Sequence, residues 1–202
     1  MTNICSGTTE QTRVVVESGA LPRLISLISS SDVRVCEQAV WALGNIVGDN
    51  GDFRDKVISH GFVPALLALT HPELGLLRNA ALVVANLCRN KQPPADLEVI
   101  KQLILALMFL IQLYDRTILI STTEAISYIT EFGTSYTQSG LLHNMTCLLS
   151  HEESRITNAV LRALRSLVAG LVEANGEYYE AIIEPINPFD EEKFFNRTLK
   201  RK

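Results

Sequence analysis

The sequence lacks a run of apolar residues long enough to cross a membrane. Its longest apolar stretch, residues 103–113, is interrupted by Gln112 and falls well short of the roughly 20 residues that a spanning helix needs. The first residues carry neither basic charge nor an apolar core, so no signal peptide is expected. The motifs GxSxG, HExxH, GxxxxGKS/T and GxGxxG are also absent. We therefore predict that the protein is not an enzyme.

Basic residues are too few for a broad surface that binds nucleic acid. The 202 residues include 18 Lys and Arg against 22 Asp and Glu, which gives a net charge of -4. A chain with this balance is not expected to coat DNA or RNA, and it suits a cationic partner better. The four cysteines include no CxxC pair, so neither a metal nor another cofactor is predicted. We expect these thiols to be buried and reduced.

A repeat of about 42 residues runs along the chain. Strings that resemble residues 41–47 (WALGNIV) recur, and they place five residues in one repeat position: Asn3, Asn45, Asn86, Tyr128 and Ser166. A second landmark precedes two of these strings, where Gly19 and Gly61 are each followed three residues later by proline. Glycine after an apolar run ends a helix, and proline in a first turn begins the next one. Each unit is therefore predicted to contain three helices.

This period predicts an all-α fold, namely a right-handed α-solenoid of armadillo repeats with about four units plus partial ends. In the first full unit the helices are expected at about 10–17, 21–29 and 33–47. The predicted boundaries of the solenoid, residues 1–170, are a partial repeat at 1–7 and repeats at about 8–50, 51–91, 92–132 and 133–170. Residues 171–186 are expected to form a partial terminal helix or cap, and residues 187–202 a mobile tail.

Polar side chains follow one face of the third helix in each unit. In the first unit they lie at positions i, i+3, i+7 and i+11: Gln38, Trp41, Asn45 and Asp49. In the next unit the equivalent face carries Asn79, Leu82, Asn86 and Arg89. Stacked units would align these faces into a ladder. Each amide offers a donor and an acceptor to the backbone of an extended peptide, and a Trp ring can pack the stem of Lys or Arg.

An alternative places Trp41 in the hydrophobic core, which is the usual position of a single Trp on a helix. Three asparagines in one register argue against this alternative, because Asn is a middling helix former and a solenoid does not require it there. The recurrence of Asn therefore favours a binding surface over a purely structural pattern.

The same residues resemble the armadillo domain of importin-α, the nuclear import adaptor. The resemblance is carried by residues 2–12 (TNICSGTTEQT), 37–49 (EQAVWALGNIVGD), 53–55 (FRD), 77–79 (LRN), 86–91 (NLCRNK), 125–128 (AISY) and 159–163 (AVLRA), and it covers about residues 1–170. It implies a groove that binds basic nuclear localisation signals. The implied peptide-binding residues are Asn3, Ser6, Gly7, Thr12, Gln38, Trp41, Asn45, Asp49, Asn79, Asn86 and Arg89. Among them, Gly7, Thr12 and Asp49 correspond to the family's lysine-selective pocket.

Several departures from the family pattern imply a weaker groove centred on Trp41. Leu82 and Glu124 stand where the family has Trp, and Ser166 stands where it has Asn. The Trp expected one turn before Asn3 does not occur in this sequence. Leu82 can still pack an alkyl stem, and Glu124 is expected to attract a basic side chain.

The resemblance also implies partners and a location. The expected partners are Lys/Arg-rich signal peptides of cargo proteins, and no nucleic acid or membrane partner is predicted. The expected location is the cytoplasm and the nucleus. The importin-β-binding arm of the family is expected to be missing before Met1. A competing hypothesis is an armadillo scaffold that has lost peptide binding. The basic tail, Arg197 with residues 200–202, is a further candidate for occupying the groove.

Overall fold

The structure is a computed structural model that describes residues 2–69, 71–89, 92–93, 95–130 and 139–174. Over these segments the chain is helical, and no β-strand occurs in them. The helices are α1 (Thr2–Cys5), α2 (Thr9–Glu17), α3 (Leu21–Ser26), a 3-10 turn (Leu27–Ser29), α4 (Val33–Asp49), α5 (Gly51–Ser59), α6 (Phe62–Leu67), α7 (Leu74–Cys88), α8 (Leu97–Leu110), α9 (Arg116–Thr130), α10 (Ser139–Cys147) and α11 (Ser154–Ala174).

Local sequence signals explain where the first helices begin. Thr8 and Gln11 form a capping box at the start of α2: the N–H of Gln11 donates to the Thr8 hydroxyl, and the N–H of Thr8 donates to the Gln11 side-chain oxygen. Pro22 lies in the first turn of α3, and the Asp32 carboxylate caps α4 by accepting from the N–H of Arg34. The three helices expected in the first unit occur at residues 9–17, at 21–26 with the 3-10 turn continuing to 29, and at 33–49.

Two glycines separate the first and second helices of their units. Gly19 has a φ of 75° and Gly61 a φ of 84°. Side chains other than glycine rarely adopt this left-handed conformation, so glycine allows the chain to turn sharply between helices. The Gly landmark in the sequence therefore marks the helix ends that it predicted.

The third unit departs from the three-helix pattern. Only α8 precedes its third helix α9 among the described residues, since none of the described residues between the end of α7 and Leu97 is helical. Prolines at positions 93 and 94 oppose a helix in this connection because they lack the backbone N–H. The fourth unit shows α10 and α11, with residues 131–138 outside the described segments. Of the cap expected at residues 171–186, residues 171–174 continue α11, and the rest of the cap and the tail at 187–202 lie outside the described segments.

The core of the molecule is built by the long third helices. Helix α4 packs against α7, α7 packs against α9, and α9 packs against α11. Their inward faces carry fully buried apolar side chains such as Leu43, Leu87 and Ile126. The shorter helices, such as α3 and α6, contribute Leu21 and Phe62 from one side. Burial of these contacts between neighbouring units is what stabilises the array.

The cysteines only partly match the expectation of buried thiols. Cys5, Cys36 and Cys88 are buried, whereas Cys147 on α10 is exposed. Burial raises the pKa of the Cys88 thiol far above its usual value, so this thiol stays protonated and unreactive. None of the described helices is long and apolar enough to cross a membrane.

Asp115 links two neighbouring third helices through one carboxylate. Its Oδ1 accepts from the N–H of Ile118 at the start of α9, and Oδ2 accepts from Nη2 of Arg78 on α7 at 2.7 Å. The hydrogen bonds from Arg78 hold the pKa of Asp115 below its usual value. A carboxyl with a lowered folded-state pKa stabilises the fold above its unfolded pKa, and this contribution is lost as the pH falls through the folded pKa.

We expect Asp115→Asn to lower the urea midpoint at pH 7. Asparagine can keep the cap but not the charge that Arg78 binds. The difference from the wild type should begin to narrow as the pH falls below about 4, the ordinary pKa of Asp, and narrow further as the pH falls through the lowered pKa of the folded Asp115. Urea unfolding followed by circular dichroism at pH 7 and at acid pH measures this difference. An equal deficit at both pH values would show that the ion pair with Arg78 does not contribute.

Candidate functional site

Four side chains in the same repeat position form the centre of the candidate site. They are Trp41 on α4, Leu82 on α7, Glu124 on α9 and Arg162 on α11. We call the surface around them the ladder face. Trp41 is 46% exposed and Leu82 is 45% exposed. The alternative that places Trp41 in the core is therefore wrong, since nearly half of this side chain lies in solvent.

The asparagines of the ladder face join each unit to the one before it. Nδ2 of Asn45 donates to the carbonyl of Thr2 at 3.5 Å, and Nδ2 of Asn86 donates to the carbonyl of Gly44 at 3.1 Å. The two acceptors lie one repeat apart, so the bonds are equivalent. A Cβ on Gly48 would lie 2.8 Å from Nδ2 of Asn86, so the absence of a side chain there makes room for the amide.

These bonds give the recurrence of Asn a structural reason that the sequence analysis did not recognise. The argument that a solenoid does not need Asn in this register is therefore wrong. Each amide has two N–H groups and one oxygen, and the bond to the preceding unit uses one N–H. In the described segments no hydrogen bond uses Oδ1 of Asn45 or Asn86. One N–H and one oxygen of each amide thus remain for a ligand.

Other amides on this face also bridge neighbouring third helices. Nδ2 of Asn79 donates to Oε1 of Glu37 at 3.3 Å, and the hydroxyl of Thr2 donates to Oε1 of Gln38 at 3.0 Å. Gln38 is exposed, and Asn79 is half-buried. The structure therefore brings the predicted residues of α4 and α7 onto one continuous surface.

The predicted lysine pocket is only partly assembled. Asp49 is half-buried at the end of α4, and Gly7 is exposed. Thr12 is fully buried instead, and its hydroxyl donates to the carbonyl of Cys5 at 3.4 Å. The structure thus does not bring Thr12 to the surface, because this side chain lies on the buried face of α2.

A second threonine lies where the sequence analysis placed Thr12. The hydroxyl of Thr9 donates to Oδ1 of Asp49 at 3.0 Å, and Thr9 is exposed. Thr9 was not among the residues predicted from the sequence, since no periodic pattern links the start of α2 with the end of α4. Asp49 and Thr9 together present oxygen atoms at the surface, as an ammonium group requires.

The remaining predicted residues lie at the surface. Asn3, Ser6 and Arg89 are exposed. The hydroxyl of Ser6 donates to the carbonyl of Asn3 at 3.1 Å. Within the described segments, no group of three or more His, Cys, Asp or Glu side chains is arranged to hold a metal ion.

The end of the ladder face at α9 and α11 carries an ion pair and further arginines. Nη2 of Arg155 lies 2.7 Å from Oε1 of Glu124, which is 26% exposed. Glu124 is thus already paired within the protein, which corrects the expectation that it attracts a basic side chain from a ligand. Around this pair lies a cavity of about 560 Å³. Its lining consists of Glu124, Arg155, Asn158, Leu161, Arg162 and Arg165.

Comparison with known proteins identifies the type of repeat and the relatives of this chain. The model of the armadillo/beta-catenin-like repeat matches residues 8–48. Importin subunit alpha-1b of Oryza sativa subsp. japonica is 40% identical over 177 residues, which are 84% of this chain and 33% of that protein. Importin subunit alpha-6 of Arabidopsis thaliana is 44% identical over 133 residues, which are 65% of this chain and 24% of that protein. A designed armadillo repeat protein in complex with the peptide (KR)4 matches with a TM-score of 0.72 and 26% identity, over 82% of this chain and 72% of that one.

Stacked third helices and the repeat match define an armadillo-repeat protein, which confirms the predicted fold class. Within that class, the repeat region is homologous to importin-α subunits over most of the chain. The chain spans 33% and 24% of the length of the two subunits named above. The relatives named above are importin subunits, in agreement with the prediction that the chain is not an enzyme.

Proposed function

We propose that the ladder face binds basic nuclear localisation signals of cargo proteins, as an adaptor-type module for nuclear import. The observation that carries this proposal is the exposure of Trp41 beside amides whose remaining polar atoms point to no other partner among the described residues. An extended peptide presents one N–H and one C=O per residue, which Asn45 and Asn86 can bind whatever the side chains are. Selectivity then comes from the side-chain sites between the amides.

The side-chain sites fit Lys and Arg. The flat ring of Trp41 can pack the alkyl stem and attract the cation, with a gain of roughly 0.5 to 2 kcal/mol. Asp49, next to the Thr9 hydroxyl, offers a carboxylate to the charged head. Asn3, Ser6, Gly7, Gln38, Asn79 and Arg89 complete the proposed contact surface. Thr12 lies beneath this surface and does not contact the ligand in this proposal. Its hydroxyl donates to the carbonyl of Cys5.

The relatives support the ligand class. Importin-α homology over most of the chain makes cargo signal peptides the natural ligands to propose, and the cytoplasm and nucleus the proposed locations. The solved complex of a designed armadillo repeat protein with (KR)4 shows that this fold can hold alternating Lys and Arg. Recruitment of further transport partners is not proposed for this chain.

Titration of a fluorescent Lys/Arg-rich signal peptide tests the proposal. We expect the wild type to bind and Asp49→Lys to bind about tenfold more weakly, because a repelling charge replaces the carboxylate at the surface. Added salt should weaken the wild-type complex, since exposed charge pairs are screened. Fluorescence polarisation measures both effects.

Glu17→Lys is the matched control, because it makes the same charge change at an exposed residue at the end of α2. It should bind the peptide nearly as well as the wild type. Equal affinities of the wild type and Asp49→Lys would contradict the proposed site, and absence of binding to the wild type would contradict the function.

A scaffold that has lost peptide binding is the second candidate function. It is favoured by Leu82 in place of an aromatic ring and by the Glu124–Arg155 ion pair, which fills the next position of the ladder face. This candidate predicts no binding of the basic peptide by a chain with normal helical content. Circular dichroism of the sample used for the titration distinguishes it from an unfolded chain.

A further inference from the structure

The ladder face changes its charge from one end to the other. At α4 it carries the carboxylates of Asp49 and Glu37. At α11 three arginines and one glutamate line the cavity described above, so the lining has an excess of two positive charges. A purely basic peptide that extended along the whole face would meet repulsion at α11.

We propose that the arginines of α11 bind the oxyanion side chains of an acidic stretch within the same extended peptide whose basic stretch lies on Trp41. This inference rests on the proposed function and names the second half of its ligand. The chemical class is a peptide with a Lys/Arg block and, some distance away, a block of carboxylate or phosphate groups.

The geometry of the cavity suits oxyanions. Arg155, Arg162 and Arg165 lie at i, i+7 and i+10 on α11, so they project from one side of the helix. Nη2 of Arg162 donates to the hydroxyl of Ser127 at 3.4 Å, which directs its guanidinium toward α9. Arg165 is exposed, and no ion-pair partner of it occurs in the described part of the chain. Each guanidinium has five N–H donors, so even paired ones retain donors for a second carboxylate or phosphate.

The charge of the rest of the molecule favours a short acidic stretch over a long polyanion. The chain carries a net charge of -4, and α4 contributes acidic groups to the same face. Nucleic acid that lay along the ladder face would be repelled by these groups. An acidic block of a few residues needs only the cavity between α9 and α11.

The distance between the two ends sets the spacing of the blocks. Helices α4, α7, α9 and α11 pack in sequence, and neighbouring helices lie about 8 to 10 Å apart, so α4 and α11 are separated by roughly 25 to 30 Å. An extended chain advances about 3.3 Å per residue, so about eight or nine residues connect the centres of the two blocks.

Fluorescence polarisation with matched peptides on the full chain tests this inference. One peptide has a basic block followed by Gly and Ser only. Others carry an Asp/Glu block at the spacing above, either before or after the basic block. We expect one of the two orders to bind about tenfold more tightly than the peptide without acids. Arg165→Glu should remove this gain and leave the affinity of the peptide without acids nearly unchanged.

The control variant is Arg23→Glu, which makes the same charge change at an exposed residue on α3. It should retain the full gain. Arg165→Gln serves as a second variant if Arg165→Glu does not fold, as judged by circular dichroism. Replacing the acidic block by phosphoserines distinguishes the two sources of oxyanions, because the block that binds more tightly identifies the preferred group.

The results separate this inference from the proposed function. If the basic peptide binds but neither order of the acidic block improves its affinity, or if Arg165→Glu retains the gain, the inference is overturned and the proposed function stands. If no peptide with a basic block binds, the proposed function fails and the inference fails with it. A gain that Arg165→Glu removes and Arg23→Glu keeps supports both.

Discussion

Replacement of Arg54 by alanine is expected to lower the free energy of unfolding by about 3 kcal/mol, the largest effect of any single change considered. Arg54 on α5 is fully buried. Its Nη2 donates to the carbonyl of Pro93 at 2.7 Å, and its Nε donates to Oδ1 of Asp55 at 2.8 Å. Alanine would leave a cavity and remove a charged donor from the Pro93 carbonyl. The connection between α7 and α8 would then lose its attachment to α5.

Urea unfolding monitored by circular dichroism measures this loss. Lys56→Ala is the matched control, because Lys56 is an exposed basic residue on the same helix. Substitutions at such positions usually change stability by less than about 0.5 kcal/mol. If Arg54→Ala and Lys56→Ala unfolded at the same urea concentration, the buried guanidinium would have no role in holding the connection.

Trp41→Ala is expected to weaken binding of the basic peptide by about 30-fold, which corresponds to about 2 kcal/mol. Trp41 is the one aromatic side chain among the four at the centre of the ladder face, since Leu82 and Glu124 occupy the same repeat position in the next two units. Because Trp41 is 46% exposed, more than half of its surface packs against the protein, and the same change should also lower the urea midpoint. Fluorescence polarisation and urea unfolding of one preparation separate the two effects.

Leu82→Trp is the complementary variant and should increase the affinity. Leu82 is exposed to nearly the same extent as Trp41, so the larger ring can be accommodated at the surface. A second ring adds a cation–π contact of roughly 0.5 to 2 kcal/mol, which raises affinity about two- to thirtyfold. If Trp41→Ala bound as tightly as the wild type and Leu82→Trp brought no gain, the ladder face would not be where basic side chains bind.

The sequence was informative about the fold because its repeat is long and because the residues that end one helix and begin the next are close together in sequence. Glycine at positions 19 and 61 and proline after each of them identify helix boundaries from a few neighbouring residues. The spacing of Trp41 and Asn45 then places both on one face of α4. These features depend on residues close in sequence, and the structure confirms them.

Contacts between units could not be predicted in the same way. The pairing of Glu124 with Arg155 and that of Asp49 with Thr9 join residues 31 and 40 positions apart. Such pairs depend on how far neighbouring helices slide and rotate against each other, which the period alone does not determine. The burial of Thr12 has the same origin, since it depends on how α2 packs against Cys5.

The bonds from Asn45 and Asn86 to the preceding unit also limit how such a protein can change its length. An α-helix turns by about 100° per residue, so inserting or deleting one residue before either amide would swing it away from its acceptor carbonyl. The same rotation would carry Trp41 or Leu82 away from its neighbours. The repeat position of these amides recurs at spacings of 42, 41, 42 and 38 residues, so differences in length fall in the connections between helices, while the third helices keep their register.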